Sequence, residues 1–204
     1  MDEPKTATAA GGAPSPEQLL ASTLRDIERE FPRFRIVRKQ TSRLSRVIDL
    51  ALKLVTLGGQ SRYLTHYHTV IGDTLYVPPE WDRGDPVDRA ITLRHERVHL
   101  RQRRRMTSLG LALWYLLPIL PLGLAYGRAR IEWEAYRETI LATAELKGIA
   151  AARHPELRQR ITEQFTSAAY GWMWPFPKTI HRWIDEALRE ADRRHGAKAA
   201  GTAS

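Results

Sequence analysis

His95, Glu96 and His99 stand as H-E-x-x-H in the stretch TLRHERVHLRQ, residues 92–102. Histidines four apart on a helix share a face, so both imidazoles can reach one Zn²⁺, and the glutamate between them is angled toward a metal-bound water. Placed at roughly 100° per residue, His95, His99, Ile91 and Gln102 fall on one side of such a helix, with Glu96 and Leu100 adjoining. Arg94, Arg97, Arg101, Arg104 and Arg105 gather opposite. The pattern predicts an amphipathic helix with its histidines inward and a stripe of arginines, Arg97 included, in solvent.

A catalytic zinc takes three protein ligands and keeps one position open. The chain has no cysteine, so nitrogen and oxygen must hold any zinc. Downstream, RIEWEAYRE at residues 130–138 offers Glu132 and Glu134. Turned by the same helical step, Ile131, Ala135, Tyr136, Thr139, Ala142 and Leu146 span a largely apolar arc that contains Glu132, whereas Glu134 falls beside Arg137, Glu138, Leu141 and Glu145 on a charged face. A carboxylate among apolar neighbours is costly unless it is paired or metal-bound. Glu132 is therefore the expected third ligand, with a salt bridge to an arginine as the competing explanation. His66 and His68 share a strand face and raise the question of a second metal site. With no carboxylate beside them in sequence, they read as ordinary polar positions on a half-exposed strand.

Holding these groups in place needs two helices and whatever packs on them. Asp85-Pro86 is a good start for a motif helix over 86–105, and 127–147 reads as the helix bearing Glu132. Residues 63–77 are rich in β-branched and aromatic types, broken at Gly72-Asp73 and stopped by Pro78 and Pro79, which predicts a hairpin next to the motif helix. A short strand is expected over 34–37 and a polar loop over 81–86. Further helices are expected over 16–31 (begun at Ser15), 41–57, 155–169 and 178–194. The aromatic run at 170–177 reads as a packed lid; Tyr170 and His181 are oxyanion donors by residue type alone. The fold class is α+β, mostly helical with a small sheet, as a single domain over 17–194 between tails at 1–16 and 195–204 expected to be disordered.

Residues 109–126 carry no charge. Pro118, Pro121 and the arginines at both ends oppose a transmembrane helix. If His95, His99 and Glu132 share one ion, this stretch must fold back on itself. A buried helical hairpin is the first reading, and a peripheral membrane contact through 109–126, with the arginines of 101–105 on an anionic surface, is the second. At 204 residues and 43% hydrophobic content the chain can bury a substantial core. Its net charge of +9 is spread over many segments without a nucleic-acid-binding signature, so no specific nucleic acid is expected as a partner. No apolar signal segment opens the chain, which suggests a cytoplasmic protein, membrane association being the second reading.

His-Glu-Arg-Val-His followed by Glu132-x-x-Ala135-Tyr136 resembles the gluzincin branch of the zincin metallopeptidases, where an H-E-x-x-H helix precedes a helix carrying E-x-x-A-D. The order of hairpin, metal helix, apolar link and glutamate helix is similar to small predicted bacterial zincin-like proteins, over about residues 63–146. The resemblance implies a zincin-like domain with His95, His99 and Glu132 as ligands of Zn²⁺, Glu96 as catalytic base, and a peptide or protein substrate laid against the hairpin by strand addition. Tyr136 departs from the family pattern, standing where an aspartate orients a ligating histidine. That departure favours the alternative, a non-catalytic zincin-like binding or structural module at a membrane surface.

Overall fold

A computed structural model describes residues 13–38, 68–105, 123–167 and 173–201. The expected helix over 41–57, the opening of the hairpin run with His66, most of the charge-free stretch, and Tyr170 lie outside the described residues.

Helix α1, Pro16–Glu30, starts where Ser15 promised. The Ser15 Oγ accepts from the Gln18 N–H at 3.3 Å, and the Gln18 side chain accepts from the Ser15 N–H at 2.8 Å. This reciprocal cap satisfies two N-terminal donors, and Pro16 has no N–H to satisfy. Strands β1 (Arg35–Arg38), β2 (Thr69–Ile71) and β3 (Thr74–Val77) form a sheet in the order β1-β3-β2. The expected hairpin is β2–β3, antiparallel around Gly72-Asp73, with Gly72 at φ 62°, a conformation that disfavours any side chain. β3 is central, pairs in parallel with β1, and buries Leu75, Tyr76 and Val77.

The next segment corrects an expectation. Residues Pro79–Arg83 form a 3-10 turn in place of a plain polar loop, and Trp81 is buried against the core that holds Leu75 and Val77. One indole outweighs its polar neighbours, because burying so large an apolar surface is worth several kilocalories, on the order of 3 kcal/mol.

Helix α2, Pro86–Arg105, carries the motif, and α3, Gly123–Lys147, carries Glu132. Gly148, at φ 91°, turns the chain into the short α4, Ile149–Ala152; α5, Pro155–Thr166, and α6, Pro177–Gly201, complete the fold. The segment 195–201, expected as disordered tail, continues α6 as helix, and the His195 Nε2 hydrogen-bonds to the Ala144 carbonyl at 2.7 Å. Its run of alanine and lysine suits a helix.

The arginine stripe of α2 is also corrected, since α1 packs on it. Glu30 accepts from Arg97 Nε at 2.6 Å and from Arg101 Nε and Nη2 at 2.6 and 2.7 Å; Arg104 donates to the Glu30 carbonyl at 2.6 Å and lies over the Phe31 ring. Arg103 reaches Asp73 and ties α2 to the hairpin turn.

The molecule is α+β and mostly helical, with two apolar cores. Ile27, Phe31, Leu75, Trp81, Leu93 and Leu100 join α1, the sheet and α2. Trp133, Ile140, Ile161, Phe165, Trp183 and Ile184 join α3, α5 and α6. The contact between α2 and α3 lies between them. Leu141, assigned to a charged face, is buried in the second core because α6 covers that side of α3. Among the described residues no helix is long and apolar enough to cross a membrane.

Candidate metal centre

Three sets of polar ties hold α2 and α3 antiparallel. Lys147 Nζ meets Asp88 Oδ1 at 2.6 Å near one end. Arg94 donates to Glu138 at 2.7 Å and to Glu145 at 2.6 Å further along. At the other end Gln102 Nε2 donates to the Ile131 carbonyl at 2.9 Å. Between the second and third ties the structure brings together the predicted His95, His99 and Glu132. One potential ligand atom from each lies within 4.8 Å of the other two. The two Nε2 atoms are 3.3 Å apart, and His99 Nε2 is 3.6 Å from Glu132 Oε2. A tetrahedral ion with bonds of roughly 2.0–2.1 Å places its ligand atoms about 3.3 Å apart, so the spacing fits a small divalent cation.

Hydrogen bonds fix which histidine nitrogens carry protons. The Gln102 amide nitrogen donates to the Ile131 carbonyl and, at 2.9 Å, to Glu134 Oε2. Its Oε1 must then face His99 Nδ1, 2.9 Å away, and accept a proton from it. The Thr139 hydroxyl donates to the Ala135 carbonyl at 3.2 Å, leaving its oxygen to accept from His95 Nδ1 at 3.0 Å. When neutral, both imidazoles therefore present Nε2 lone pairs to the same point. Two acceptors facing each other at 3.3 Å repel unless a metal ion lies between them or one of them carries a proton.

The electrostatics agree. Burial first, then the neighbouring His99 and His68, hold the His95 pKa well below its ordinary value. Burial works against a charge on His99 as well, but the carboxylates of Glu132 and Glu96 and the Gln102 hydrogen bond outweigh it and raise that pKa. Positive charge is thus favoured on His99 and disfavoured on His95. Glu96 is buried at 6% exposure, on the same helix and near enough to act on His99.

Sequence reasoning missed Gln102, Thr139 and the part played by Glu134. Glu134 is exposed as its charged face suggested, and with the Ile131 carbonyl it is one of two acceptors that orient Gln102. Tyr136 is packed edge-on to His95, ring centroids 4.9 Å apart, and edge-on to Phe165 at 5.5 Å. Histidine orientation thus falls to Thr139 and Gln102, both neutral. A signal existed: the helical wheels put Gln102 with the histidines and Thr139 with Glu132. His68 is half-buried, its ring edge-on to Trp81 at 5.0 Å, and its charge is felt by His95. His181 is exposed on α6.

No protein-family model, no curated protein and no solved structure matches this chain. The reading of the site stands on its own geometry.

Proposed function

We propose that the protein is a zinc-dependent peptidase of zincin-like design, with His95, His99 and Glu132 as metal ligands and Glu96 as general base. The observation that carries this reading is the pair of Nε2 atoms, 3.3 Å apart, gathered with the Glu132 carboxylate so that one ligand atom of each lies within 4.8 Å of the others. Nitrogen, nitrogen and carboxylate oxygen suit Zn²⁺, and three protein ligands leave a position open. Bound there, the ion supplies Lewis acidity toward a carbonyl and a water acidified to a pKa of about 7.

The chain's own residues do the rest. Thr139 and Gln102 keep the imidazole Nδ1 protons away from the reacting side. Glu96 takes a proton from the attacking water and returns it to the departing amine as the C–N bond breaks. Among the described residues β2 is outermost on its side of the sheet and contacts α2, so an extended substrate adding to β2 would lie beside the motif helix.

Glu96→Gln keeps the ligands and removes the base. The zinc-loaded variant is expected to retain stoichiometric metal and lose peptide hydrolysis by at least about 10²-fold, the ordinary contribution of a general base. A zinc-loaded variant as active as the parent would sink the mechanism.

A further inference from the structure

We propose that the end of the molecule where α6 begins docks on an anionic lipid surface, with Phe176 entering the headgroup layer and Lys178, Arg182 and Arg130 meeting lipid phosphates around it. The proposal does not rest on the peptidase reading. Helices α3 and α6 run in the same direction: Trp133 lies against Trp183 with ring centroids 5.4 Å apart, Arg137 pairs with Glu190, and the Ala144 carbonyl meets His195 at 2.7 Å. Their first turns therefore share one end of the molecule. The last turn of α2 joins them there, since Gln102 meets the Ile131 carbonyl. The charge-free sequence 109–126 follows α2 and runs into α3, so the chain leaves and re-enters the described structure at this same end.

Among the described residues Phe176 is the large hydrophobic side chain left exposed, at 45%. Its backbone is held in place. The Phe176 carbonyl accepts from the Thr179 N–H at 3.0 Å as α6 starts, and the Trp174 N–H donates to the Phe165 carbonyl at 2.8 Å beside the buried Met173. The partly exposed Trp174 ring stands edge-on to Phe176, centroids 5.0 Å apart. Aromatic rings fixed at the surface suit a bilayer interface, where one side chain meets both headgroups and acyl chains.

Lys178 and Arg182 are exposed and four residues apart, hence on one face of α6. The exposed Arg130 lies over the Trp183 ring, 5.3 Å from its centroid, next to Arg182 in the chain. None of the three cations forms an ion pair among the described residues. Outside those residues the only acids in the sequence are Asp2, Glu3 and Asp49. Of the nearby acids on α3 and α6, Glu134 accepts from Gln102, Asp185 pairs with Arg158, and the exposed Glu186 lies a full turn beyond Arg182. Charge alone would suit any polyanion. The exposed aromatic pair selects lipid, which sets an apolar layer beneath its anionic one.

Co-sedimentation of the full chain with phosphatidylcholine vesicles, with and without phosphatidylserine, at physiological ionic strength tests this. Binding to the mixed vesicles is expected to fall about 25-fold in the double variant Lys178→Gln, Arg182→Gln, about fivefold per cation, and at least about fivefold in Phe176→Ser. The chain has no cysteine, so one environment-sensitive dye can be placed through Pro175→Cys or, at the far end of α5, through Glu156→Cys. Its emission should shift to the blue on mixed vesicles from position 175 and not from 156. Should one variant fail to fold by circular dichroism, the other and the dye decide. No binding to mixed vesicles, equal binding to pure phosphatidylcholine, unchanged binding in either folded variant, or a dye shift at 156 as large as at 175 overturns the proposal. So does duplex DNA bound as tightly as the mixed vesicles.

Discussion

At the scale of residues, the proposed metal site depends on side chains that would never touch the ion. Gln102 can accept from His99 because its amide nitrogen is committed to Ile131 and Glu134. Gln102→Leu frees the His99 ring to turn and to change tautomer, and Thr139→Val does the same to His95. Each is expected to weaken metal binding by about 10–100-fold, the usual cost of losing an outer-shell partner, as measured by competition with a chelating dye. Glu134→Ala should weaken it less than Gln102→Leu, since the Ile131 carbonyl still orients the amide. An unchanged affinity in Gln102→Leu would show that the tautomer is set by something else. The grouping of His95, His99 and Glu132 was legible in the sequence because spacing along each helix reports a shared face. The roles of Gln102 and Thr139 were not, since each depends on which carbonyl or carboxylate occupies its remaining hydrogen-bonding positions, and those belong to the packed pair of helices.

At the scale of elements, α1 is clipped to the motif helix by a single carboxylate. Arg101 and Arg97 hold the Glu30 pKa down to about 2 despite partial burial. A glutamate pKa depressed below its unfolded value of about 4.3 stabilises the fold above that value, and the contribution is lost as pH falls through about 2. Glu30→Gln should therefore destabilise the protein at pH 7 and lose less stability than the parent between about pH 4.5 and 2. Urea unfolding across that range measures the difference, and parallel acid profiles would contradict the assignment. The helical wheel correctly separated arginines from histidines on α2, yet it could not tell that α1 covers the arginine side. Glu30 lies 67 residues before Arg97, and nothing in local periodicity joins them. Trp81 and the helical 195–201 were misjudged for a related reason: local composition reads as loop or tail where one distant contact decides.

At the scale of the whole molecule, two apolar cores meet along α2 and α3, and the polar cluster of His95, His99 and Glu132 lies on that helix pair. Much of the basic composition is spent inside the fold. Arg137 pairs with Glu190, Arg153 with Asp192 and Arg158 with Asp185, each linking α6 to earlier parts of the chain. Such half-exposed pairs contribute about 0–1 kcal/mol each, so they fix the placement of helices more than they add stability. The fold class, the hairpin and the two helices that carry His95, His99 and Glu132 followed from residue patterning. The division into two cores did not, because it depends on α1 and α6 covering opposite sides of the α2–α3 pair. The central claim, that this pair exists to hold one catalytic ion, is tested most directly by the metal content of the purified protein and of its Glu132→Ala variant. The account predicts about one zinc per chain in the parent under the three-ligand scheme and loss of stoichiometric zinc in the variant. A parent that takes up no divalent metal, or a Glu132→Ala variant that holds it as tightly, would contradict it.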